Sequence, residues 1–328
     1  MTNPKVSVII PVYNTGKYLE SSVSSIQEQT LQDIEIIIID DGSTDDSPAI
    51  LKKLSESDAR IRLFVQSNQG QSAARNLGLD NAQGDYIYFM DSDDILELNA
   101  LSSCYEKCHS QNLDVVIFDA EIFFESEVKE KTGFNYIRSG KIDDKLYNGA
   151  ELLEELLNKN LFKAVPWLVF VKRALIEKIK LRFFPGIIHE DELFTPILYL
   201  AAGRMGYIPS VFFHRRIREN STMTNRFSKR NLTGYFTVIE NLKIYSIRSE
   251  SRVKIIVEKL IENIVISISD QSGSMSVYLR YSIMRFFLKH GLLKYLKLRS
   301  TIIMMSPFGN LVKEKVLRPI YTGLRKHL

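Results

Sequence analysis

Three carboxylates fall within four positions at Asp91-Ser92-Asp93-Asp94, directly after the apolar run Tyr86-Ile87-Tyr88-Phe89-Met90. Acids packed this closely repel one another and lose hydration unless a positive charge sits among them. Mg2+ and Mn2+ prefer oxygen ligands, and such an ion bridging to a diphosphate would resolve the cost. The competing reading is a cap. Acids at the start of a helix beginning near Leu96 gain about 0.3 to 1 kcal/mol from its dipole. The segment alone leaves the two readings even. A second acidic end, Asp40-Asp41-Gly42-Ser43-Thr44-Asp45-Asp46, follows Ile36 to Ile39. A turn with a cap accounts for Gly42, Thr44 and Asp45, but not for a second acidic end beside the first. A carboxylate there could accept the imide N–H of a uracil ring, with Tyr13 beneath or beside the base.

Two further clusters have chemical potential. Asn68 to Asn76 opens a helix through a glycine-containing loop, and its backbone N–H groups together with Arg75 could face an anion; an ordinary ion pair is the plainer role for Arg75. Farther on, His189-Glu190-Asp191-Glu192 precedes the apolar stretch Leu193 to Ala202. It is either an acidic helix start or the place of a general base. Familiar alternatives fail on spacing. No GxGxxG follows the first apolar run, Gly16-Lys17-Tyr18 only mimics the tail of a P-loop, and Gly70-Gln71-Ser72-Ala73-Ala74 lacks the last glycine of a nucleophile elbow. Ser72 is expected instead as the N-cap of the following helix. Cys104 and Cys108 lie four apart in a helical stretch and are expected as buried, reduced thiols, since further zinc ligands to join them and His109 are missing.

The elements that must carry these residues follow from periodicity. Apolar runs at Val6 to Ile10, Glu35 to Asp40, Arg62 to Val65, Tyr86 to Met90 and Asp114 to Phe118 alternate with amphipathic stretches at Tyr18 to Gln29, Asp45 to Ser57, Ser72 to Ala82 and Leu96 to Ser110. That is the pattern of strands joined by crossover helices into a doubly wound, mostly parallel sheet. In such sheets ligands bind beyond the carboxyl ends of the strands, where Pro11 to Asn14, Asp40 to Thr44 and Asp91 to Asp94 fall. Phe123 to Asn148 reads as loop or edge, Ala150 to Leu161 and Val165 to Ile179 regain apolar spacing, and Val211-Phe212-Phe213 reads as a strand before the basic run His214 to Arg218. From about residue 226 the chain reads as helices. At 328 residues with 45% hydrophobic and 25% charged residues, an α/β domain over 1–225 with a helical extension over 226–328 is expected. Val6 to Ile10 lacks a cleavage site, and nothing reaches the roughly 18 apolar residues of a membrane span. A cytoplasmic protein is expected.

In this order and spacing, Val8 to Asn14, Asp40 to Asp45, Gly70-x-x-x-Ala74-Arg75-Asn76 and Phe89 to Asp94 resemble the inverting family 2 glycosyltransferases of the GT-A fold. The resemblance covers residues 6 to 94 and implies a nucleotide-binding half over 1–120 and an acceptor half over 121–225. It implies that Pro11, Tyr13 and Asp41 contact base and ribose, that Arg75, Asp91 and Ser92 lie on the nucleotide side, and that Asp93 holds Mn2+ or Mg2+. Gly186 to Phe194 resembles the family's later acidic motif, which makes Asp191 the catalytic base, with Glu190 and Trp167 toward the acceptor. Trp167-Leu168-Val169 departs from the family's Trp-Asn-Lys. Arg216-x-Arg218-x-Asn220-Ser221-Thr222 resembles a segment that closes over the donor diphosphate, and several cations there would stabilise the leaving charge; His214 could reach the metal or be structural.

The implied donor is a UDP-sugar, and the implied acceptor is a glycan, lipid-linked by analogy, in surface polysaccharide synthesis. The alternative is a nucleotide-sugar-binding scaffold without turnover, against which the joint presence of Asp93 and Asp191 argues; a nucleotidyltransferase lacks its phosphate loop. From Arg280 onward 11 Lys or Arg face the single acid Glu314. With the whole chain at +4, the first 279 residues carry −6. Such a basic, apolar-interleaved segment suits an anionic membrane surface or plain solvation. Nucleic acid is not expected, because no recognised fold accompanies the charge.

Overall fold

Val6–Val12 (β1) and Ile34–Asp40 (β2) are runs in which nearly every side chain is buried. Strands covered on both faces lose alternation and become continuous β-branched runs, as in parallel sheets. In the computed structural model, which describes residues 4–125, 135–218 and 227–296, β1 pairs in parallel with β2 and with Tyr86–Phe89 (β4), and β2 with Ile61–Val65 (β3). The crossovers are α1 (Gly16–Gln27), α2 (Ser47–Ser57) and α3 (Gln71–Asn81). Gly78 lets α3 lie close on the sheet, since a Cβ there would stand 2.4 Å from Ile9 Cγ2.

The chain continues through β5 (Ile95–Leu96), α4 (Ala100–Gln111), β6 (Val115–Phe124), α5 (Gly149–Asn158), β7 (Val169–Lys172), α6 (Arg173–Lys178), α7 (Asp191–Ala201) and β8 (Met205–Ile217). The sheet order is β3-β2-β1-β4-β7-β6-β8-β5. β6 and β8 are parallel, whereas β7 runs antiparallel to β4 and β6, and β5 antiparallel to β8. The fold is mixed α/β, its first half parallel as expected. Pro209 sits where the register between β6 and β8 shifts, the position in which a strand tolerates a residue with no N–H.

The apolar stretch Val165 to Ile179 holds a 3-10 turn at Pro166–Leu168, then β7, then the short α6. Two local expectations change. The helix expected near Leu96 starts at Ala100 behind Asn99, and Ile95–Leu96 is strand. The start of α3 is Gly70 at φ 87 with no side-chain cap, and the Ser72 hydroxyl is buried without a partner. Cys104 and Cys108 are free and buried, as expected.

By backbone contacts the chain forms two units, residues 1–186 with 190–224, and residues 187–189 with 225–328. The second contains α8 (Lys229–Ile247), α9 (Ser251–Gln271) and α10 (Val277–His290). Ser228 and Asn231 form a reciprocal capping box at the start of α8, Ser276 caps α10, and Gly291 at φ 66 ends it. Among the described residues no helix is long and apolar enough to cross a membrane.

Candidate active site

Loops leave the carboxyl ends of β1, β2 and β4, and hydrogen bonds tie them into one edge. Asn14, at φ 52, donates its backbone N–H to Ser43 Oγ (3.1 Å) and accepts from Thr44 N on Oδ1 (2.8 Å). Thr15 Oγ1 and Ser92 Oγ share a hydrogen bond of 2.9 Å, which joins the first loop to the acidic cluster. Gly16 N donates to Asp45 Oδ2 at 2.9 Å. Pro11 is half-buried at the end of β1, while Tyr13 is 48% exposed.

Asp41 is buried, and its carboxylate is already used. Oδ1 accepts from Gln66 Nε2 (2.7 Å) and Gln69 N (2.8 Å), and Oδ2 from Gly70 N (2.8 Å). The loop after β3 is therefore folded around this acid. A carboxylate offers about four acceptor positions, so one remains on Oδ2.

Arg75 joins residues far apart in sequence. Its guanidinium is buried on α3, donating through Nη2 to Asp91 Oδ1 (2.8 Å) and through Nη1 to Glu190 Oε1 (2.9 Å). Gln71 Nε2 donates to the same Glu190 oxygen at 2.6 Å, and the guanidinium lies over the Phe183 ring, 5.2 Å from its centre. Burial alone would lower the Arg75 pKa, but the two carboxylates outweigh it and raise it. The next residue, Asp191, starts α7 and is half-buried. Burial pushes its carboxyl well above the usual range; Glu190 and Glu192 push it further, and Arg75 and the Glu192 N–H only partly oppose them. A carboxylate with raised proton affinity is suited to accept a proton near neutral pH.

The far side of the acidic cluster is covered by the end of β8. Arg218 Nε donates to Asp93 Oδ2 at 2.7 Å, and Arg216 Nε to the Asp93 carbonyl at 2.8 Å. The Arg216 N–H donates to Asp94 Oδ1 at 2.6 Å. Both guanidiniums lie over Tyr18, with ring-centre distances of 5.0 Å for Arg216 and 5.4 Å for Arg218. Asp94 is buried, and burial with its acidic neighbours Asp93 and Asp91 raises its pKa well above the usual range. The helix-cap reading of the cluster does not hold, because Asn99 occupies the N-cap of α4 and Asp94 bonds β8 instead. His214 has both ring nitrogens engaged, Nδ1 with Glu121 (2.9 Å) and Nε2 with Glu97 (2.5 Å), so its structural role prevails over the metal. Asn220, Ser221 and Thr222 lie outside the described residues.

The family model for glycosyl transferase family 2 matches residues 7–179, more than half of the chain. The chain belongs to glycosyl transferase family 2. GlyA, a glycosyltransferase of Streptococcus pneumoniae, is 35% identical over 225 residues, 67% of this chain but 32% of GlyA, so the chain spans about a third of that relative. Among solved structures, S. aureus TarS 1-349 in complex with UDP-GlcNAc superposes with a TM-score of 0.63 at 17% identity, covering 89% of each chain. The mannosyltransferase PcManGT from Pyrobaculum calidifontis, in complex with GDP-Man and Mn2+, reaches 0.59 at 15% identity over 98% of this chain and 84% of its own. These likenesses establish the shared fold.

A divalent ion fits this family 2 site through Asp93. One carboxylate oxygen is held by Arg218, the other has no hydrogen bond among the described residues, and the side chain is 20% exposed. Such ions are commonly held by one or two carboxylates plus substrate phosphates rather than by a protein cage, and among the described residues no preassembled cluster of three ligands exists. Trp167 and Glu190, expected toward the acceptor, both have partners within the protein. Trp167 is a core side chain stacked on Phe213 (4.3 Å) and edge-on to Tyr136 (5.0 Å). Glu190 is 1% exposed and serves as the counter-ion of Arg75. Thr15, Tyr18, Gln71 and Phe183 also bond or stack in this site, and nothing in their sequence spacing shows their partners.

Proposed function

We propose that the chain is an inverting glycosyltransferase that moves a sugar from a UDP-sugar to a hydroxyl of a glycan acceptor. The Arg75 bridge carries this reading. One buried cation binds the donor-side Asp91 and the residue next to Asp191, so a base of raised proton affinity is held against the nucleotide end of the sheet. In this reading Tyr13 and Pro11 flank the uracil, the free position on Asp41 Oδ2 accepts its imide N–H, and Asp91 and Ser92 lie by the ribose. Arg216 and Arg218 meet the diphosphate, where fixed cations stabilise charge that grows as the bond breaks. A Mn2+ or Mg2+ ion on Asp93, when bound, neutralises part of the same charge.

Asp191 takes the proton of the acceptor hydroxyl as that oxygen bonds to the anomeric carbon. The bond from that carbon to the diphosphate oxygen breaks, and UDP departs from the opposite face with inversion. An α-linked donor then gives a β-linked product. The nucleotide half is residues 1–120 and the acceptor half 121–225. The acceptor is lipid-linked, in capsule, exopolysaccharide or lipopolysaccharide synthesis, and the enzyme works at the inner membrane face. The TarS complex with UDP-GlcNAc and the PcManGT complex with Mn2+ support the donor class and the ion. To test this, UDP release is measured across UDP-sugars with Mn2+, with and without glycan acceptors. Acceptor-dependent release that is lost in Asp93→Ala is expected; tight UDP binding without turnover on any acceptor would favour the silent scaffold.

A further inference from the structure

Tyr278, Tyr281, Arg285 and Leu288 recur on α10 at three- and four-residue spacing, and therefore share one helix face. Val277 and Lys289 flank them, and all six are exposed, with Tyr278 and Tyr281 at 66% each and Leu288 at 61%. The other face of α10 already has its core: Ile283 and Phe287 are buried, and Phe286 stacks on Phe236 of α8 at 3.8 Å. The exposed strip is therefore additional to what folding requires. Contiguous apolar exposure of this kind marks a contact surface.

Charge selects the partner. Of the four cations in residues 271–296, Arg280 is buried and Lys294 pairs with Glu258, while Arg285 and Lys289 are exposed with no acid in that segment, and the basic excess runs on along the sequence. Two copies of the strip would set Arg285 and Lys289 against their like with nothing to neutralise them. Tyrosines with a leucine among cations instead match the boundary of an anionic bilayer, where a ring rests at headgroup depth and Arg and Lys meet phosphates. We propose that the exposed face of α10, through Val277, Tyr278, Tyr281 and Leu288 with Arg285 and Lys289, docks the protein on an anionic lipid surface. This gives the membrane-side setting of the transferase a defined contact, and it is read without donor or acceptor, so either proposal can fail while the other stands.

The test is co-sedimentation of the full chain with phosphatidylcholine vesicles, with and without phosphatidylglycerol. Binding that needs phosphatidylglycerol and weakens with salt is expected. With two cations near the surface removed, Arg285→Ser/Lys289→Ser lowers the partition coefficient about 30-fold. Tyr278→Ser/Tyr281→Ser/Leu288→Ser lowers it on the order of tenfold. Far-UV circular dichroism verifies folding, and Arg285→Glu alone provides a milder second variant. Wild type that ignores phosphatidylglycerol, or variants that all bind like wild type, would overturn the proposal. So would a wild-type dimer that the tyrosine and leucine substitutions dissociate, since the face would then pair copies of the chain.

Discussion

Replacing Arg75 with methionine removes the cation shared by Asp91 and Glu190 and leaves two unequal acids behind. The Asp91 side chain is 31% exposed and can rehydrate, whereas that of Glu190 is 1% exposed. Its Oε2 already has no hydrogen-bond partner among the described residues. Breaking a buried pair from one side costs about 3 to 5 kcal/mol; because only one of the two acids is trapped, the lower end, about 3 kcal/mol, applies. For a unit of this size about 1 kcal/mol moves Tm by roughly 2 to 4 °C, so a fall of roughly 6 to 12 °C follows. Trp167, the only tryptophan, is buried in the same unit, and its fluorescence reports unfolding there. Glu190→Gln is the partner substitution, and the double variant Arg75→Met/Glu190→Gln recovers most of the loss, since removing both charges avoids the uncompensated one. A loss below about 1 kcal/mol, or strict additivity in the double variant, would refute the shared-cation argument.

Three other outcomes follow from named contacts. Burial lifts the Glu192 carboxyl from 4.5 to about 7, so its protonated form is favoured by folding; that contribution is complete below pH 4.5 and fades as pH rises to 7. Glu192→Gln therefore stabilises the protein at pH 8, by on the order of 3 kcal/mol at most, which raises Tm there, and leaves stability unchanged at pH 4. His189 stacks on Tyr235 (3.9 Å), and burial lowers its pKa to about 4. Stability from keeping the ring neutral is present above pH 6.5 and is lost as pH falls toward 4; its NMR titration midpoint should lie near 4, and one near 6.5 would contradict the burial. Asp41→Ala strips acceptors from Gln69 N and Gly70 N, a cost of about 1 to 3 kcal/mol. UDP affinity measured by calorimetry should drop, and unchanged affinity would exclude the base contact.

The strand ends were legible because β1 and β2 are continuous buried runs whose last residues must be polar where the sheet stops. Asp41 and Asp91 were found that way, and the order of motifs supplied the family. β7 was not legible: the buried run Trp167 to Val171 has no period to separate strand from helix, and its antiparallel insertion between β4 and β6 is decided by distant partners. Two-residue β5 is too short to leave a signal, which kept the cap reading of Asp94 open until β8 was seen to bond it. β8 extends well beyond the expected strand Val211 to Phe213, and a register shift absorbs Pro209 within it. The Arg75–Glu190 pair spans 115 residues, and neither residue announces the other.

Asp191 is the proposed base. Turnover of a UDP-sugar with acceptor should be compared between wild type and Asp191→Asn across pH, with UDP binding measured in parallel. The prediction is a fall in kcat of about 10² to 10⁴ with UDP affinity unchanged, and a wild-type acid limb above the usual carboxylate range, as the raised Asp191 pKa requires. Turnover that survives the substitution, or an acid limb in the ordinary carboxylate range, would contradict it.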